Sequence, residues 1–259
     1  MKKNEKDKNS ITIWFSKTKT EGSDETERIL ASAKEEKYNK LWNNKTWWCI
    51  FLATAGIIAS CIEILPMPEG GMVTMLSLFI VWLFTFIYGF QAGALFGVAF
   101  GILRFIIVML GFGNEQIFVG VPSDLKPLVF LMEYPIAYGI ISLGDLVHYR
   151  TKNEYDKIKD RENVTEIFED KTKLIGGYIL GVFCMYVVYV LTAITCYDPG
   201  ERIGKFSLEN IRYCMQYDSF PLIAEIIITL CALAIPVFRE AVFYVKFIAT
   251  HDMEEEDYF

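Results

Sequence analysis

The chain has 259 residues, 53% of them hydrophobic and 15% aromatic, with a mean hydropathy of +0.30 and a formal net charge of −7. It is too apolar for an average soluble domain, and its charges are segregated: residues 1–46 and 147–173 are polar, with long apolar runs between them. This is the pattern of an integral membrane protein, and it offers no basic face for nucleic acid.

The first 22 residues, rich in Lys, Asn and Thr, predict disorder. The opening lysines are not followed by the apolar core of a signal peptide. From Ser23 to Leu41, Ile29, Leu30, Ala33, Tyr38 and Leu41 fall near one face of a helix and charges cover the rest. This predicts an amphipathic helix over 23–41, lying on the membrane surface, against a partner, or simply in solvent. Six apolar spans follow, at 47–65, 72–88, 91–112, 127–146, 174–196 and 220–247. About 20 residues cross the hydrocarbon core as a helix. The expected fold is therefore an all-α membrane protein of six transmembrane helices. A polar tail (1–46) precedes the membrane domain (47–247), and an acidic tail (248–259) follows it.

Lys and Arg set the orientation. Eleven lie in residues 1–46 and seven in 147–173, whereas the opposite loops carry four, Lys126, Arg202, Lys205 and Arg212. Both termini are thus expected in the cytoplasm of a multi-pass protein in the cell membrane, with loops 66–71, 113–126 and 197–219 outside.

The third span opens on a ladder of glycines at 89, 93, 97 and 101. Residues four apart share a helix face, and small ones let a second backbone approach. Ala55 and Ala59 repeat that spacing in the first span, for a contact inside the protein or with another subunit. Arg104, inside the third span, requires an anionic or carbonyl partner.

The fourth span carries an anomaly. Glu133 stands in the apolar run Leu128-Val-Phe-Leu-Met-Glu-Tyr-Pro-Ile-Ala-Tyr138. A carboxylate at membrane depth costs about 2.5–3.5 kcal/mol on insertion scales, so it is expected to face the protein interior with a partner. The alternative is an acid near a helix end that snorkels to water. Pro135 removes a helix hydrogen bond and predicts a kink beside it.

Motifs for other chemistry fail. Gly200-Glu-Arg-Ile-Gly204-Lys205 has three residues between its glycines, where a phosphate loop needs four, and Phe206 follows the Lys. No G-x-S-x-G occurs, and neither His148 nor His251 lies in a span, against a serine intramembrane protease. The six cysteines have no metal-ligand spacing, although Cys196 and Cys214 flank one loop and could pair. The expectation is a protein that is not an enzyme and holds no metal or cofactor. What remains on the external side is a set of acids and tyrosines: Glu133, Tyr186, Tyr189, Tyr197, Tyr213, Tyr217, Asp218 and Glu225. Rings and carboxylates together suit a flat, cationic aromatic ligand. Taken singly, each tyrosine also fits the aromatic belt at a membrane interface.

These motifs keep an order. Pro68-Glu-Gly-Gly-Met-Val-Thr-Met-Leu is followed by the glycine ladder, then by Met132-Glu-Tyr-Pro-Ile-Ala-Tyr138, then by Tyr217-Asp-Ser-Phe220 and Glu225-Ile-Ile-Ile-Thr-Leu230. The ordered set, over residues 47–247, resembles the thiamine-binding S components of energy-coupling factor (ECF) transporters. The resemblance implies a six-helix binding subunit without transport energy of its own, docked on a transmembrane coupling subunit and two ATP-binding cassette ATPases. It places the aminopyrimidine of the ligand on Glu133, beside Tyr134. It carries the fifth-helix ligand positions onto Tyr189 and Tyr197, with Tyr186 an alternative register, and those preceding the sixth helix onto Tyr213 and Asp218. Ala55 and Ala59 match the docking face. The chain departs from the family where His and Trp become Tyr, Asn becomes Asp218, and Ser becomes Met72. These changes are compatible with thiamine or with a related ligand such as a hydroxymethylpyrimidine. The remaining reading is a structural membrane protein with no ligand.

Overall fold

The computed structural model describes residues 45–66, 72–112, 118–147, 171–197 and 206–250. The helix expected over 23–41, most of the 147–173 loop and the chain beyond Thr250 lie outside them. Within them the protein is helical, with one two-stranded ribbon and no closed sheet. Among the described residues, four helical stretches are long and apolar enough to cross a membrane, the first of them counted across a break at Gly89: Ser77–Met109, Lys126–Val147, Lys173–Cys196 and Leu208–Ala234. Their outer faces carry Leu95, Phe183, Ile223 and Ile227, all exposed. Apolar side chains turned outward on apolar helices are what a lipid solvent favours.

Helix α1 spans Lys45–Cys61 and buries Trp48, Leu52, Gly56 and Ser60, one residue per turn, against the next helix. Gly56 admits the ring of Phe100, whose Cε2 would lie 2.7 Å from an added Cβ. The first span was expected to run helical to Leu65. Instead the chain leaves the helix at Cys61 and forms strand β1, Glu63–Pro66, which pairs antiparallel with β2, Met72–Thr74. An apolar run this short does not distinguish strand from helix by periodicity. Pro66, which cannot donate to a helix ladder, favours the extended state.

Helix α2, Ser77–Met109, is two helices joined at Gly89, whose φ of 83° and ψ of 179° only glycine adopts freely. In a continuous helix, residues 84 and 96 would stand about 18 Å apart. The rings of Phe84 and Phe96 instead stack with centroids 4.2 Å apart, so the chain folds back on itself. Gly93 makes the hairpin tight, because a Cβ there would meet Thr85. Asp145 Oδ2 accepts the Phe90 N–H at 2.9 Å and caps the returning arm from another helix. The turn between the second and third expected spans thus falls where the sequence put it.

Helix α3, Lys126–Val147, changes its winding along its length: α to Leu131, π over Met132–Ile136, α again to Ile140, then 3₁₀ over Ile141–Val147. The expected kink at Pro135 takes the form of that π turn, a wider turn that accommodates a residue without an N–H. The last two glycines of the ladder, Gly97 and Gly101, pack on it. An added Cβ would lie 2.8 Å from the carbonyl carbon of Tyr138 at Gly97, and 2.6 Å from that of Tyr134 at Gly101. A second set of small residues, Gly144, Gly177 and Gly181, brings α3 against α4, Lys171–Cys196. Trp82 fills the space beside Gly144 and Gly177 and donates its indole N–H to the Leu174 carbonyl at 3.1 Å.

Helix α5 spans Leu208–Ala234 and is capped by Ser207, which accepts the Asn210 N–H at 3.2 Å. The expected sixth span, 220–247, is divided differently. Residue 235 is extended, with ψ 117°, and Pro236 opens a separate helix α6, Pro236–Thr250. A residue preceding proline is pushed out of the helical region, and proline is well suited to a first helical turn.

Candidate functional site

The site is built from the residues that the π turn displaces. Glu133 lies within that turn, half-buried, and Tyr197, just past the end of α4, donates its hydroxyl to Glu133 Oε2 at 3.1 Å. The inward-facing acid expected from the sequence therefore has a protein partner, and the partner is one of the expected site tyrosines. Tyr134 is buried instead in an aromatic cluster. Its ring centroid lies 5.1 Å from that of Phe105 and 6.4 Å from that of Phe130. Phe105 also meets Phe118, and the Lys126 ammonium lies 5.9 Å from the Phe118 ring. Tyr197 packs with Phe118 and Leu125 on a small core of Val121, Val129 and Cys196.

The other group of expected residues is on α5. Tyr213, half-exposed, and Tyr217 have nearly parallel rings with centroids 6.1 Å apart. Asp218 lies on the buried stripe of α5 between Cys214 and Leu222. Its Oδ2 is buried and makes no hydrogen bond among the described residues. Cys214 lies one helical turn before Asp218 on α5. Tyr186 donates its hydroxyl to the Met215 carbonyl at 3.2 Å and ties α4 to α5 one turn away. Of the two tyrosine registers on α4, Tyr186 reaches α5 through that bond, and both Tyr186 and Tyr189 pack against the main core. Cys196 and Cys214 are both free thiols, so the pairing that their positions allowed is not made.

Three charged side chains are buried among the described residues: Arg104, Glu225 and Lys246, whose ammonium lies 4.1 Å from the centroid of the Phe86 ring. Arg104 donates to the Ser60 carbonyl at 2.9 Å and to its hydroxyl at 2.8 Å, the carbonyl partner expected for it. Glu225 accepts three hydrogen bonds, from Thr74 Oγ1 at 2.9 Å, Ser77 Oγ at 3.2 Å and the Leu78 N–H at 2.8 Å. The sequence marked Glu225 as an acid in an apolar run; its partners, some 150 residues away, carry no local signal. On α1, Ala55 and Ala59 are half-buried beside the exposed side chains of Phe51 and Ile58.

The candidate residues thus form two groups, Glu133 with Tyr197 at the π turn of α3 and Asp218 with Tyr186, Tyr213 and Tyr217 along α4 and α5. The family model for the thiamine transporter protein (Thia_YuaJ) matches residues 46–244. The chain belongs to the thiamine transporter family. The match covers every described element up to α6 and agrees with the resemblance in the ordered motifs. A family of transport proteins also fits helices suited to crossing a membrane, and the protein is a multi-pass membrane transporter component. No curated protein and no solved structure matches the chain.

Proposed function

We propose that this protein is the substrate-binding subunit of an ECF-type importer, which captures thiamine from outside and releases it inward with the help of ATPase partners. The observation that carries this reading is Glu133. Membership of a thiamine transporter family fits an acid placed in the π turn of an apolar helix, and a carboxylate, acceptor-only when ionised, is suited to the amino group of a pyrimidine. Tyr186 or Tyr189, Tyr197 and Tyr213 supply the ring faces, and Asp218 supplies negative charge for the thiazolium. Tyr134 positions Glu133 through its aromatic packing. Ala55 and Ala59 on α1 form the docking face for a transmembrane coupling subunit, which in turn recruits two ATP-binding cassette ATPases. Both termini lie in the cytoplasm, as the Lys and Arg distribution favours.

The test is equilibrium binding of thiamine to the purified full-length protein, followed by quenching of Trp fluorescence. Saturable quenching at micromolar thiamine supports the reading. Its absence removes thiamine, and a thermal-shift screen then separates a precursor such as a hydroxymethylpyrimidine from a chain with no small-molecule ligand.

A further inference from the structure

We propose that Arg104 and Glu225 act together as a charged clamp that holds both feet of the β1–β2 hairpin and fixes it to α5. The foot before β1 is Ser60, the last buried residue of α1, gripped by Arg104 through its carbonyl and hydroxyl. The second foot comprises Thr74, at the end of β2, with Ser77 and Leu78, all three donating to Glu225. Buried charges persist only when paired and hydrogen-bonded, so this arrangement satisfies each of them through the hairpin's ends.

The second foot depends on Glu225 for a further reason. Helix α2 begins after Leu76, which has a φ of 63° and provides no side-chain cap. A non-glycine residue at positive φ is strained and needs its surroundings to hold it there. Glu225 does so by accepting the Leu78 N–H, the role an N-cap side chain plays from within the chain. Strand β1 contributes little apolar anchoring, since Ile64 and Leu65 are exposed, whereas β2 buries Val73.

Glu225 lies seven residues beyond Asp218, on the same buried stripe of α5. A shift of α5 at Asp218 is therefore passed through Glu225 to the hairpin. This coupling rests on the reading that α5 carries ligand-binding residues; the clamp itself does not. Glu225 is a positioning residue and does not touch the ligand.

Hydrogen–deuterium exchange of the full-length detergent-solubilised protein tests both parts. Glu225→Gln is expected to speed exchange over residues 72–78 at least tenfold, with α4 residues 174–196 unchanged. Added thiamine is expected to slow exchange in that segment in the wild type and to have no effect on it in Glu225→Gln. The double variant Thr74→Val with Ser77→Ala keeps both charges and is expected to loosen the same segment, which provides the reading if Glu225→Gln does not fold. Unchanged exchange over 72–78 in either folded variant overturns the clamp. A wild-type protein that binds thiamine with no change over 72–78 overturns the coupling. A wild type that binds no thiamine removes the functional reading, and exchange in the thiamine-free variants still decides the clamp.

Discussion

The Tyr197 hydroxyl stands 3.1 Å from Glu133 Oε2, joining the π turn of α3 to the end of α4. The bond orients the carboxylate before a ligand arrives, so the two residues are expected to act as a unit. Glu133→Gln is predicted to weaken thiamine binding by about 1.5–3 kcal/mol, the range for a hydrogen bond to a charged group. Tyr197→Phe is predicted to cost about 1 kcal/mol. The double variant is expected to lose less than the sum of the two, as groups in one hydrogen-bonded network do. Titration of all four proteins by Trp fluorescence checks this, and strict additivity would separate the two residues.

Asp218 makes the opposite kind of prediction. A buried carboxylate oxygen without a hydrogen-bond partner among the described residues costs stability in the ligand-free protein. Asp218→Asn, the residue the motif resemblance places there, is expected to raise the thermal midpoint of the empty protein. It is also expected to weaken binding of cationic thiamine about fivefold, while a neutral hydroxymethylpyrimidine is affected less, since only thiamine carries the charge that Asp218 attracts. Equal effects on both ligands would show that Asp218 does not face the cationic end.

The glycines separate two physical roles. At Gly101 an added methyl meets the backbone of Tyr134 and Pro135, which cannot rotate away. Gly101→Ala is predicted to destabilise by about 1–3 kcal/mol through overpacking and to displace the π turn, so that thiamine affinity falls as well. Gly89→Ala strains the backbone at a φ of 83°, at a cost of about 1–3 kcal/mol, and lies outside the ligand site. It is expected to lower the thermal midpoint with unchanged affinity in the folded fraction. Melting curves and binding isotherms on the same samples tell these apart.

On α1, Ala59→Trp places a large ring on the half-buried flank beside Ile58. The predicted outcome is normal thiamine binding by the isolated protein and loss of co-purification with the coupling subunit and ATPases. Retained co-purification would move the docking surface elsewhere.

Much of this protein is set by residue chemistry that acts locally. The apolar runs fix a multi-pass helical protein because lipid leaves the backbone no partner but itself. Gly89 fixes a reversal, and the glycines four apart fix where another backbone comes close. Glu133 and Arg104 declare themselves in the sequence because a charge in an apolar run must find a partner. Only tertiary structure decided what those partners are. Tyr197 meets Glu133 from 64 residues away, and Glu225 gathers Thr74, Ser77 and Leu78 from the far side of the chain. Tertiary structure also decided that residues 63–66 form a strand and that Pro135 is absorbed by a π turn. Short apolar runs permit both helix and strand, and a proline permits several kinds of break, so the choice passes to the packing of neighbouring helices, which local pattern does not encode.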